Sequence, residues 1–182
     1  MNILVIPIGP PGSGKTYFRY QLKDYCLKKN LKYIDTNRDE LFSEIRKKNS
    51  LKKTRIILYD LLMDFYEDIN KNSYDIIYID STNSNKDIRE KFIDSISPKQ
   101  TIFINFIFLN SISDNIQFLL NRTINRKHHP TFPKLDFEQE KIIKNIIPKI
   151  EYQYIEDDKK KIINHNIREN NLLEKLVLEI VF

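Results

Sequence analysis

Gly9-Pro10-Pro11-Gly12-Ser13-Gly14-Lys15-Thr16 follows directly on the apolar run Ile3 to Ile8 and completes the pattern G-x-x-x-x-G-K-[ST]. A strand before this pattern and a helix after it are the context in which it forms a phosphate-binding loop. Composition supplies a second, independent signal. The 182 residues contain three glycines, and all three, Gly9, Gly12 and Gly14, stand in this stretch. There is no alanine and no tryptophan, while Asn, Lys and Ile abound, as AT-rich coding would produce. Glycine is kept only where backbone geometry demands it. Here it lets successive N–H groups turn inward as a nest for phosphate oxygens, and a helix starting near Lys15 adds the positive end of its dipole. The whole stretch, Gly9, Pro10, Pro11, Gly12, Ser13, Gly14, Lys15 and Thr16, is thus a candidate site for a nucleoside triphosphate. In it Lys15 bridges the β- and γ-phosphates and the Thr16 hydroxyl ligates Mg²⁺. The loop does not say what happens to the nucleotide.

The rest of the composition bounds the answer. A chain of 182 residues, 41% hydrophobic and 30% charged, is expected to be one globular domain over residues 1–182. The longest apolar stretch, Ile102 to Leu109, is too short to span a bilayer, and Met1 to Ile8 lacks a basic start and a cleavage site. The expectation is an intracellular protein, cytoplasmic or nuclear, with no membrane partner. Cys26 falls on the helical pattern Phe18, Leu22, Cys26 and reads as core packing. The three histidines, two of them adjacent at 128 and 129, have no metal-site spacing with the lone cysteine, so no protein-ligated metal is expected. A net charge of +5 suits a polyanionic partner and is equally what Lys-rich coding produces.

Along the chain, strands and helices alternate. Strands are predicted at Ile3 to Ile8, Tyr33-Ile34, Asp75 to Ile79, Ile102 to Leu109 and Lys161 to Asn164. Helices are predicted at Lys15 to Lys29, after Asp39 through about Lys47, and at Lys53 to Ile69 and Asn85 to Ser95. Three more follow at Asp114 to about Arg122, around Phe137 to Ile147, and around Asn171 to Ile180. Lys28-Lys29-Asn30 reads as a helix stop in which asparagine takes the left-handed position usually given to glycine, and Lys47-Lys48-Asn49 repeats the device. The alternation implies an α/β fold of the P-loop NTPase or kinase type, with a parallel sheet and helices on both faces. Ligands in such sheets sit at the carboxyl ends of the strands. Three polar segments at strand ends are therefore candidates for one site: the phosphate loop, Asp35 to Asp39, and Asp80 to Asn83.

Those segments carry a resemblance. The loop at 9 to 16, Asn37-Arg38-Asp39 and Asp80-Ser81-Thr82-Asn83 together resemble the kinase domain of phage and animal polynucleotide 5′-hydroxyl kinases, and more distantly that of tRNA ligases. Asn121 to Arg126 stands where that family has a lid over the phosphates, here at about 122–136. The resemblance covers nearly the whole chain. It implies phosphoryl transfer from ATP or GTP, with Mg²⁺, to the 5′-hydroxyl end of DNA or RNA, as in nucleic acid repair or RNA processing. In it Lys15 and Thr16 hold the nucleotide and metal, Asp39 is the general base, Arg126 a catalytic lid cation and Arg122 a second lid residue on the nucleotide. Arg38 and Phe42 fall on the acceptor side as substrate-binding residues, and Asp80 and Asn83 are substrate-binding residues that line the junction between acceptor and donor sites. The chain departs from the phage enzyme at Phe42, where that enzyme has an arginine three residues after its catalytic aspartate, so an acceptor-phosphate contact there must come from elsewhere.

Chemistry alone leaves alternatives open. Phosphoryl transfer needs in-line positioning, charge neutralisation and a carboxylate near the incoming hydroxyl. Asp39 has the right type, Asp35 is nearer the strand end, and Asp39 can equally be a helix N-cap. Asp80 can serve the acceptor, contact a metal-bound water or cap a helix. Arg122 and Arg126 can be a solvated basic helix end. No N-K-x-D segment late in the chain supports a GTPase. The competing readings are a small-molecule P-loop kinase acting on a nucleoside or other alcohol, and a non-catalytic nucleotide-binding or RNA-binding module.

Overall fold

The computed structural model describes residues 2–36, 38–107, 112–124 and 136–181, and the side chains of these except 39, 40, 112–114, 124, 136, 137 and 181. In chain order the elements are β1 (Ile3–Ile8), α1 (Lys15–Lys28), β2 (Tyr33–Asp35), α2 (Arg38–Arg46), α3 (Leu51–Lys71) and β3 (Ile76–Tyr78). There follow α4 (Lys86–Ile96), β4 (Gln100–Ile107), α5 (Ile112–Ile124), α6 (Asp136–Ile146), a 3₁₀ turn at Ile147–Lys149, β5 (Lys160–Asn166) and α7 (Leu172–Val181). The five strands form one sheet in the order β2-β3-β1-β4-β5, and every pairing is parallel.

β1 is buried along its whole length because it is central and covered on both faces. Its two-residue side-chain period divides the core. Ile3 and Val5 point to the layer holding Phe18, Leu22 and Cys26 of α1, Leu119 of α5, Ile143 of α6 and Leu176 of α7. Leu4, Ile6 and Ile8 point to the layer holding Tyr66 and Ile69 of α3 and Ile96 of α4. The α/β architecture with helices on both faces is the expected one. β1 also lies where the strand order turns, with β3 on one side and β4 on the other, so the crevice opens at its carboxyl end.

Several boundaries move for local reasons. α1 ends in a Schellman motif: Asn30 is left-handed at φ 55°, Asn30 N–H bonds Leu27 O at 3.2 Å, and Leu31 N–H bonds Cys26 O at 2.9 Å. The predicted repeat of this device at Asn49 is not found, since Asn49 is not left-handed. Its amide instead donates to Ile45 O at 2.8 Å, and Arg46 donates to the Asn49 carbonyl at 2.5 Å, which satisfies that helix end through side chains. α3 starts earlier than predicted because Ser50 caps it, accepting from Lys53 N–H. β3 is shorter than Asp75 to Ile79, while β5 extends past its predicted ends along its pairing with β4. β4 begins at Gln100, and residues 108 and 109 of its predicted span lie outside the described residues.

Candidate active site

The phosphate loop joins the end of β1 to α1 and is held from three sides. Gly9 N–H donates to Thr82 O at 3.2 Å, tying the loop to the segment that follows β3. A Cβ on Gly9 would stand 2.8 Å from Phe106 Cβ, so β4 leaves room there for glycine alone. Gly12, at φ 84°, needs the left-handed region and packs against Leu119 and Thr123 of α5. Gly14, at φ 108°, is the cap from which α1 departs. The Lys15 ammonium lies within the loop, donating to Gly9 O at 2.8 Å, Pro10 O at 2.7 Å and Ser13 Oγ at 3.3 Å. Thr16 is half-buried in the first turn of α1. Two left-handed glycines, a buried ammonium and a helix N-terminus are what a polyphosphate fits.

Arg122 reaches the loop from α5. Its Nη2 is 3.6 Å from where a Gly14 Cβ would be, its Nη1 donates to Ile167 O at 3.3 Å, and its guanidinium lies over the Phe118 ring at 5.4 Å. Burial lowers its pKa. Beneath it, a cleft of about 50 Å³ is lined by Ser13 and Gly14 of the loop, Tyr17 and Gln21 of α1, and His165 and Glu169 near the end of β5. His165 is buried edge-on to Phe106, and burial, then the nearby Lys175, pushes its pKa down to about 4. It is neutral at physiological pH. Arg126 and most of the predicted lid, residues 125–135, lie outside the described residues.

On the other side of β1, Arg19 organises the strand ends. Its Nη1 stands 2.9 Å from Asp80 Oδ2 and 3.7 Å from Asp35 Oδ1, with the guanidinium side chain 5% exposed. Asp80 N–H donates to Thr36 Oγ1 at 3.0 Å, and Tyr78 OH donates to Lys15 O at 2.9 Å, so β2, β3 and α1 are cross-tied beneath the loop. Burial, then the Asp35 carboxylate, pushes the Tyr33 hydroxyl pKa up, and it stays protonated beside Asp35. Sequence reasoning missed Arg19. The signal was available, because position 19 lies on the same helix face as Phe18, Leu22 and Cys26, where a charge requires a buried partner.

The candidate acceptor residues divide. Arg38 and Phe42 of α2 line a cavity of about 530 Å³ with Ser81, Thr82 and the inner side of α3. Asn83 is not in that wall: it is buried, left-handed at φ 48°, and its amide donates to Pro7 O at 2.8 Å and Ile79 O at 3.0 Å. Its backbone carbonyl accepts from the buried Arg89 Nη1 at 2.7 Å. Asn83 thus joins the ends of β1 and β3. Asp80 pairs with Arg19 of α1 at 2.9 Å. Asp39 is the second residue of α2, and its side chain lies outside the described ones. Asn37 lies outside the described residues. Among the described residues no group of three or more His, Cys, Asp or Glu side chains is placed to hold a metal, and no helix is long and apolar enough to cross a membrane.

No protein-family model and no curated protein matches the chain. Solved structures do. A sugar kinase from Janibacter sp. HTCC2649, at 16% identity and a TM-score of 0.59, is covered over 96% of its length by 99% of this chain. Chaetomium thermophilum Kti12, solved with ADP-AlF3, is similar at 16% identity and a TM-score of 0.59, with 98% of this chain covering 96% of it. A fungal RNA kinase is similar at 23% identity and a TM-score of 0.58, with 99% of this chain covering 83% of it. At these identities the likeness is one of fold: the chain has the α/β fold of P-loop kinases.

Proposed function

We propose that this protein transfers the γ-phosphoryl group of ATP or GTP to the 5′-hydroxyl of a polynucleotide. The observation that carries the reading is the bond from Gly9 N–H to Thr82 O. Thr82 is part of the wall of the cavity that also holds Arg38 and Phe42. A phosphate loop and a basic, aromatic cavity therefore share a hydrogen-bonded boundary, as in-line transfer between two bound substrates requires. The fungal RNA kinase among the similar structures supports the same acceptor class.

In this reading the loop N–H groups and Lys15 hold the β- and γ-phosphates, and Arg122 lies over the nucleotide side. Mg²⁺, when bound, neutralises phosphate charge, and Thr16 is the residue that holds it with the nucleotide. Asp39 accepts the proton of the 5′-hydroxyl as the new O–P bond forms and the bond to the β-phosphate oxygen breaks, releasing the nucleoside diphosphate. Arg126, from the lid, stabilises charge on the transferred group. Arg38 and Phe42 receive the acceptor. Asp35 is the weaker candidate for the base because its carboxylate stands 3.7 Å from the buried Arg19 guanidinium beneath the loop.

End-labelling with γ-labelled nucleotide tests the reading, comparing a 5′-hydroxyl oligonucleotide with a free nucleoside and a panel of sugars at equal concentration. Preference for the oligonucleotide is expected. Preference for a nucleoside or sugar would replace this reading with that of a small-molecule kinase, an activity that the similar sugar kinase makes concrete.

A further inference from the structure

The cavity beside the phosphate loop draws more of its wall from α3 than from α2. Arg55, Leu58, Tyr59 and Leu62 line it at i, i+3, i+4 and i+7, one continuous helix face. Leu58 is buried, whereas Arg55 is exposed and Tyr59 is 62% exposed. The face therefore has an apolar floor and an upper edge made of a cation and an aromatic ring. Lys52, also exposed, continues the basic edge by one turn.

Among the described residues the lining holds two guanidiniums, Arg38 and Arg55, and no carboxylate. Neither arginine is ion-paired with a side chain among the described residues. Two like charges around one space are stabilised by an anion between them. An exposed Tyr59 on one helix and a half-buried Phe42 on the other offer flat surfaces to a ring. Cations interleaved with aromatics are the composition of a groove for single-stranded nucleic acid, and about 530 Å³ is enough for a nucleotide-sized group.

We propose that α3 supplies the second half of the acceptor site: Arg55 pairs with the first phosphate after the 5′-hydroxyl nucleotide, and Tyr59 stacks on an adjacent base. This rests on the polynucleotide reading above and goes further than it, because it assigns strand recognition to a helix that carries none of the motifs. A neutral sugar would use neither the paired guanidiniums nor the basic edge at Lys52.

The test uses the full chain with a 5′-hydroxyl oligonucleotide, in the wild type and in Arg55→Gln, Tyr59→Ala and Tyr59→Phe. Oligonucleotide KM is read against nucleotide KM in each, over a series of salt concentrations. Arg55→Gln is expected to raise the oligonucleotide KM about tenfold at low salt and to flatten the slope of log KM on log salt by about 0.7, one phosphate contact on a single strand. Tyr59→Ala is expected to raise that KM about tenfold at all salts, and Tyr59→Phe to restore it. An unchanged oligonucleotide KM in Arg55→Gln, or an unchanged salt slope, overturns the assignment while a wild type that labels oligonucleotides keeps the kinase reading. A wild type that labels only small alcohols overturns both.

Discussion

At the scale of single residues, the strand ends hold three carboxylates of which two face one arginine. Asp35 and Asp80 flank Arg19, while Asp39 sits in the first turn of α2. Asp39→Asn keeps size and polarity and removes the proton acceptor, so kcat should fall by at least about a hundredfold with nucleotide affinity and Tm little changed. Steady-state kinetics beside thermal melts check this, and full activity in Asp39→Asn with a dead Asp35→Asn would reverse the assignment. Arg19→Met should behave otherwise. It leaves two largely buried carboxylates facing each other without their cation, and is expected to cost about 3 kcal/mol in urea unfolding. Adding Asp80→Asn should recover part of that loss. A neutral Arg19→Met would mean that the cross-tie contributes nothing to stability.

At the scale of elements, the glycine-poor chain satisfies its left-handed positions by other means. Outside the phosphate loop these are Asn30, Asn83 and Ser97 among the described residues, and asparagine tolerates them through local hydrogen bonds. Within the loop no such substitute works. Gly9→Ala would push a methyl against Phe106 Cβ, an atom fixed to the backbone of β4. A destabilisation of about 1–3 kcal/mol is expected, together with weaker nucleotide binding as the loop shifts, measurable by calorimetry and thermal melts. Phe106→Leu should not rescue it, because leucine keeps the offending Cβ. Rescue by Phe106→Leu would locate the conflict in the ring instead. α3 shows the opposite economy of position: its last turns pack by way of Tyr66 and Ile69, and Arg55, Leu58, Tyr59 and Leu62 before them line the cavity.

At the scale of the whole molecule, closing β5 and α7 around the loop buries a histidine beside Lys175 and Arg122. Its folded pKa of about 4 lies below its ordinary 6.5, so the unfolded chain takes the proton first as pH falls. Stability is therefore intact above about pH 6.5 and lost between there and pH 4, where this one group accounts for about 3 kcal/mol. Urea unfolding at pH 7 and pH 4.5 should show a larger acid loss in the wild type than in His165→Gln, and equal losses would refute the burial argument. The distribution of what was legible follows from range. The phosphate loop, the alternation of β and α, and the Schellman end at Asn30 could be read from the chain because their determinants are contiguous: a strand, a glycine-bearing turn and a helix start within sixteen residues. Arg38, which the N-R-D resemblance singles out, and Phe42, where the chain departs from the phage enzyme, line one cavity. The partners of Arg19, the turning of Asn83 into the sheet, and the cavity wall that Arg55 and Tyr59 share with Thr82 were not legible. Each joins segments tens of residues apart that meet only because β3 inserts beside β1, and a periodicity read along one helix cannot say which neighbour its polar edge will face.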